Sequence, residues 1–135
     1  MSPGEIAALL HSAFSEWDKT GITIEAAGYC SCRLRMAVDN RSARPGGTVS
    51  GPTMFMLADT ALYVAVLASI GPQALAVTTN MSINFLRKPE LKDLIAECSL
   101  LKLGSRIAVG EVAIFSEAGT DPVAHATGSY SIPPR

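Results

Sequence analysis

The residue of this chain best suited to chemistry is one carboxylate, Asp59, which stands in an otherwise uncharged run of the sequence. The run extends from Pro52 to Ile70 and reads PTMFMLADTALYVAVLASI. Burying an uncompensated carboxylate among apolar side chains costs several kcal/mol, so a chain that keeps one there has a use for it. A carboxylate can serve as a base or a nucleophile. The alternative is a structural group bonded to the backbone or to Thr60.

The apolar run around Asp59 predicts a long central helix over residues 52–70. A Ser-Gly-Pro start signal precedes it at 50–52, and Gly-Pro at 71–72 ends it. The helix would be roughly 27 Å long. Because nearly every face is apolar, we expect protein to enclose it. The central Asp59 and the absence of basic residues beside either end argue against a membrane span.

The segments on either side of this helix predict a second helix and six strands. Residues 1–20 contain an amphipathic helix, because apolar residues recur at spacings of three and four between Glu5 and Trp17. Alternating residues from Ile22 to Val38 predict two strands joined near Gly28. Further strands are predicted at 75–86, 93–103, 106–115 and 123–132. This order predicts a single α+β domain over residues 1–135, with an antiparallel sheet curled around one buried helix.

Composition limits the possible partners and compartments. A net charge of −1 over 135 residues argues against nucleic-acid binding through phosphates. Only 17% of residues are charged, which favours a second subunit covering some apolar surface. Three cysteines without paired Cys-x-x-Cys units predict cytosolic thiols and no zinc site. The N-terminus lacks the pattern of a signal peptide, so we predict a cytoplasmic protein.

Four motifs, in this order of elements, resemble a known fold and family. They are GGTVSGPTMFMLADTA at 46–61, AVTTNMSINFLRKP at 76–89, KLGSR at 102–106 and VAHATGSYSIP at 123–133. The chain resembles the hotdog fold, and within it the PaaI-type branch of the 4-hydroxybenzoyl-CoA thioesterase superfamily. The resemblance implies an acyl-CoA thioesterase that forms a homodimer or homotetramer. Coenzyme A would be part of the substrate, with no separate cofactor and no metal.

The resemblance also implies roles for three residues. Asp59 matches the carboxylate that attacks the thioester or activates water, and Gly51 matches the glycine whose N–H binds the thioester oxygen. The first N–H groups of a helix have no internal acceptor and lie at its positive end, so this role suits Gly51. Thr78 matches a hydroxyl residue on the strand after the helix. The family's sites lie between subunits, which implies that each site combines Gly51 of one chain with Asp59 of another.

Five further residues are candidates for substrate binding by the same resemblance. Ser50 stands where many relatives have histidine, and Asn40 is the asparagine nearest to one that holds the thioester carbonyl in relatives. Arg87, Lys88 and Arg106 are candidates for contacts with the phosphates of coenzyme A. The alternative for these three cations is ordinary solvated surface charge.

Two other functions fit the same resemblance. A hotdog protein can bind acyl-CoA without turning it over. A hydratase or dehydratase of this fold usually needs a histidine beside the acid, and the central segment has none.

Overall fold

The computed structural model describes residues 1–39, 43–44 and 47–134. Its helices are α1 (Pro3–Ala13), a short 3-10 helix (Trp17–Lys19) and α2 (Gly51–Ile70). Its strands are β1 (Ile22–Gly28), β2 (Ser31–Met36), β3 (Ala43–Arg44), β4 (Thr48–Val49), β5 (Val77–Phe85), β6 (Leu94–Leu103), β7 (Ile107–Ser116) and β8 (Ala124–Ser131). Six strands form one antiparallel sheet in the order β1-β2-β6-β7-β8-β5, while β3 and β4 form a separate hairpin.

The predicted central helix is confirmed as α2, and it begins one residue earlier than expected. Ser50 caps it, because its side-chain oxygen accepts a hydrogen bond from the Thr53 N–H. Gly71 ends it with φ 93, a conformation that glycine adopts most easily. By length and hydropathy α2 could span a membrane, but 56% of its most apolar window is buried inside the protein. The sheet wraps around α2, which confirms the hotdog arrangement.

Small residues on the inner face of the sheet allow α2 to lie close to it. Gly110 and Gly128 are cross-strand partners on β7 and β8. A Cβ atom at either glycine would come within 2.8 Å of a Leu62 methyl carbon. Leu62 is fully buried, so it fills the space that the two missing side chains leave. The close approach of α2 to the last two strands in the chain therefore depends on these small residues.

The N-terminal helix is shorter than its apolar pattern predicts. It begins with a capping box between Ser2 and Glu5, and it ends at Ala13 rather than at Trp17. Trp17 instead opens the separate 3-10 helix. Ile6 and Leu10 are buried, whereas Phe14 and Trp17 lie beyond the helix along a cavity.

Candidate active site

Asp59 lies on α2 with its carboxylate in a cavity of about 590 Å³. The side chain is half-buried, so it is less enclosed than the surrounding apolar sequence predicts. Its Oδ1 accepts hydrogen bonds from the Thr78 hydroxyl at 2.5 Å and from the Tyr130 hydroxyl at 2.7 Å. Thr60 is not its partner, because the Thr60 hydroxyl donates to the Met56 carbonyl oxygen. Two hydroxyl donors thus compensate this carboxylate for its partial burial.

Strand register brings these two hydroxyls to the same oxygen. Thr78 on β5 and Tyr130 on β8 are directly paired across the sheet. The pairing is irregular between Thr78 and Asn80, where β5 bulges. Strict alternation from Met81, which packs against the core, would turn Thr79 toward the helix. The bulge turns Thr78 to α2 instead, while the Thr79 hydroxyl donates to the Ser129 carbonyl oxygen.

Tyr130 is the residue of this site that the sequence reasoning missed. It is only 4% exposed, and its ring stacks on Tyr63 with centroids 5.8 Å apart. Burial raises the pKa of Tyr130 well above its ordinary value, the neighbouring Asp59 carboxylate raises it further, and the Thr78 hydroxyl opposes the rise. Tyr130 therefore keeps its proton and acts as a donor. The signal was available, because alternation places Tyr130 on the β8 face that also carries Ala124, Ala126 and Gly128.

The cavity beside Asp59 is mostly apolar and aromatic. Its lining includes Leu10, Phe14, Trp17, Met56, Tyr63 and Leu75. Phe14 packs edge-on against Tyr63, and the Tyr63 hydroxyl donates to the Ala74 carbonyl oxygen at 2.7 Å. The lining residues thus come mainly from the N-terminal segment, from α2 and from the residues around the start of β5. Such a space suits an apolar group whose reacting end lies at the carboxylate.

Gly51 lies at a different cavity, of about 460 Å³, at the N-terminus of α2. Ser50 atoms accept hydrogen bonds from the N–H groups of Thr53 and Met54, and Pro52 has none to donate. Within the described ranges, the Gly51 N–H has no acceptor and is available to a ligand. Gly51 and Asp59 are eight residues apart on one helix, or about 12 Å along its axis. One chain therefore does not bring them to one small group.

The three candidate cations divide between the two ends of the sheet. Arg87 and Lys88 line the Gly51 cavity, and an Arg87 guanidinium nitrogen donates to the Pro122 carbonyl oxygen at 2.6 Å. Arg106 lies in the turn between β6 and β7, where its carbonyl oxygen accepts from the Ile132 N–H. That turn is at the same end of the sheet as the start of β5, whereas Arg87 follows the end of β5, which is roughly 27 Å long. Within one chain, the three cations are not a single cluster.

The last two candidates for substrate binding are Ser50 and Asn40. Ser50 is occupied as a helix cap, and its hydroxyl also lies 2.8 Å from the Thr53 hydroxyl. Asn40 lies outside the described residues. Neither of the two histidines lines the cavity at Asp59. His11 pairs with Asp18, and His125 pairs with Glu111.

Comparison with known proteins shows similarity in both sequence and fold. A family model described as the thioesterase superfamily matches residues 46–123. A provisionally named esterase of Halobacterium salinarum is 31% identical over 106 residues, which cover 74% of this chain and 69% of that protein. The solved structure of a provisionally named thioesterase from Silicibacter sp. is 46% identical with a TM-score of 0.90, covering 99% of this chain and 93% of that one. The PaaI protein from the E. coli phenylacetic acid degradation operon is 21% identical and shares the fold, with a TM-score of 0.84. That match covers 97% of this chain and 93% of the PaaI chain.

Proposed function

Because this chain belongs to the thioesterase superfamily, we propose that it hydrolyses an acyl-CoA or aryl-CoA thioester to the free acid and coenzyme A. The observation that carries the proposal is the Asp59 carboxylate, which two hydroxyls hold in an apolar cavity. The three cysteines are free thiols, which supports a cytoplasmic location.

The apolar cavity receives the acyl or aryl group, which places the thioester carbonyl beside Asp59. Asp59 then either removes a proton from water as the water oxygen attacks the carbonyl carbon, or attacks that carbon itself. In both routes negative charge develops on the thioester oxygen. The C–S bond then breaks, and the thiolate of coenzyme A leaves and takes up a proton. When Asp59 itself attacks, an acyl anhydride remains on Asp59, and water then hydrolyses it to the free acid and the regenerated carboxylate.

The developing negative charge needs a donor that is not on the same helix. The Gly51 N–H has the chemistry of an oxyanion donor, but its own Asp59 is about 12 Å away along α2. We therefore assign the donor to Gly51 of a second subunit, which makes the site interfacial. Arg87 and Lys88 beside that Gly51 would then meet the phosphates of coenzyme A, while Arg106 would approach from the chain that supplies Asp59.

A hydratase is less well supported than a hydrolase. Hydration of an enoyl group needs an acid and a base on the two carbons of a double bond, and a histidine usually supplies one of them. Both histidines of the chain lie away from the Asp59 cavity.

Replacing Asp59 with Asn tests the proposal against a panel of acyl-CoA and aryl-CoA thioesters. The amide cannot act as base or nucleophile, so hydrolysis should fall by at least about 100-fold while the substrate still binds. Asp121→Asn, at an exposed carboxylate in a turn, is the matched control. Full turnover by Asp59→Asn would overturn the catalytic assignment. Binding of thioesters without turnover by the unaltered protein would support the acyl-CoA-binding alternative instead.

A further inference from the structure

We propose that Tyr130 is a positioning residue that acts through Asp59. Together with Thr78 it would fix the carboxylate so that Oδ2 is the oxygen that reacts. This inference rests on the proposed thioesterase function and deepens it. The two oxygens of one carboxylate are chemically equivalent until their surroundings distinguish them, and the contacts of Asp59 are strongly unequal.

The unequal contacts are all on one side of the carboxylate. Oδ1 accepts from both Thr78 and Tyr130, at 2.5 and 2.7 Å. Within the part of the chain that the structure describes, Oδ2 has no such partner. The Tyr130 hydroxyl also lies 3.0 Å from the Asp59 backbone carbonyl oxygen, so it contacts side chain and main chain together. That double contact restrains rotation of the carboxylate about its own bonds.

The position of Tyr130 is in turn fixed by its surroundings. Its ring is stacked on Tyr63, and Phe14 packs edge-on against the other ring of that pair. Register with Thr78 fixes the strand beneath it. Because burial keeps the Tyr130 proton in place, the hydroxyl can only donate to Asp59 and cannot act as a base near neutral pH. Its contribution is therefore geometric and electrostatic.

Removing that hydroxyl should affect the rate of reaction more than the binding of substrate. A Tyr130→Phe variant keeps the ring stack and the shape of the cavity, but it leaves the Asp59 carboxylate held by Thr78 alone and so freer to rotate. A reacting group that is misplaced by about 1 Å can lose about 100-fold in rate. We expect kcat to fall by about 10- to 100-fold, with KM changed by less than about twofold, as for an interaction needed mainly in the transition state.

The experiment compares two pairs of variants in the hydrolysis of one acyl-CoA. Tyr130→Phe is matched by Tyr29→Phe, which removes a hydroxyl from a tyrosine that is 76% exposed in a turn. Thr78→Val is matched by Thr79→Val, which removes the neighbouring hydroxyl that bonds Ser129 rather than Asp59. The first member of each pair should lose kcat and the second should keep it. Circular dichroism and melting temperature check that each variant folds.

Failure of this inference and failure of the proposed function give different results. If the unaltered protein turns over and Asp59→Asn does not, but Tyr130→Phe keeps its kcat, only the role of Tyr130 is overturned. A Tyr130→Phe variant whose KM rises as much as its kcat falls also overturns the role of Tyr130, because a changed cavity shape would then account for the loss of activity. Should Asp59→Asn itself remain active, the proposed function falls and the role of Tyr130 falls with it.

Discussion

At the scale of single residues, the contribution of Gly51 is a backbone N–H rather than a side chain. The Gly51 N–H is the available donor at the start of α2, because Pro52 has no N–H and Ser50 accepts the hydrogen bonds of the next two N–H groups, those of Thr53 and Met54. The partial positive charge of a helix N-terminus adds to the attraction for an oxyanion. Gly51 also packs under Phe85, and a Cβ atom there would lie 3.2 Å from the end of that ring.

Two substitutions at Gly51 separate the N–H from the packing. Both Gly51→Pro and Gly51→Ala introduce a Cβ atom beside Phe85, but only proline removes the N–H. Proline suits the first position of a helix, and Ser50 at ψ 152 has the backbone that favours a following proline. We expect Gly51→Pro to lower kcat by about 100- to 1,000-fold, as loss of an oxyanion donor does. Gly51→Ala should retain most activity in the same assay. Equal losses would assign the effect to Phe85.

At the scale of elements, the contact between α2 and the sheet depends on two facing glycines. Gly110 and Gly128 provide the recess in which Leu62 sits. Leu62 follows Asp59 by three residues on α2, which is just under one helical turn. Any change that lifts α2 from the sheet therefore also moves Asp59 away from Thr78 and Tyr130. Packing and the geometry of the site are coupled through this one leucine.

Gly128→Ala tests the packing side of this coupling. The added methyl would meet Leu62 at 2.7 Å and the Asn80 carbonyl oxygen at 3.0 Å, a degree of overpacking that typically costs about 1–3 kcal/mol. For a chain of this size the melting temperature should fall by about 3–5 °C per kcal/mol. Gly4→Ala is the control, because a Cβ there meets nothing within 4 Å and alanine favours a helix. An unchanged melting temperature for Gly128→Ala would show that Leu62 can move aside.

At the scale of the whole molecule, one side of the protein resembles an uncovered interface. β5 is an edge strand, and most of its residues are exposed. Large apolar side chains lie along it or close to it, among them Val77, Phe85, Leu86 and Phe55. An unpaired edge beside apolar surface favours association with another chain. We expect a second copy to cover this side, which would also bring its Gly51 to Asp59.

Mixing inactive variants tests this arrangement directly. Asp59→Asn and Gly51→Pro subunits are each expected to form inactive oligomers. If each site takes Asp59 from one chain and Gly51 from another, a mixed dimer has one intact site. Random mixing should then restore about a quarter of wild-type activity. Light scattering on the unaltered protein should give two or four subunits. Monomers at micromolar concentration, or no restoration on unfolding and refolding the mixture, would contradict an interfacial site.

The sequence alone determined the features that depend on local patterns. The central helix follows from a run with no charge except Asp59 and with clear start and stop residues. Asp59 stands out because burying an uncompensated carboxylate in such a run costs free energy. Alternation and turn residues located the six strands of the sheet to within two residues. Local propensity and capping act between near neighbours, so they can be read along the chain.

Only the tertiary structure decided how distant residues meet. Tyr130 reaches Asp59 because β8 pairs with β5 in one particular register, and a bulge turns Thr78 rather than Thr79 toward the helix. The end of α1 at Ala13 and the placement of Arg106 away from Arg87 are likewise set by packing and strand order. A shift of register by one residue turns every side chain of a strand to the other face, yet leaves the sequence pattern unchanged. The pattern located the carboxylate, and long-range pairing fixed the groups that hold it.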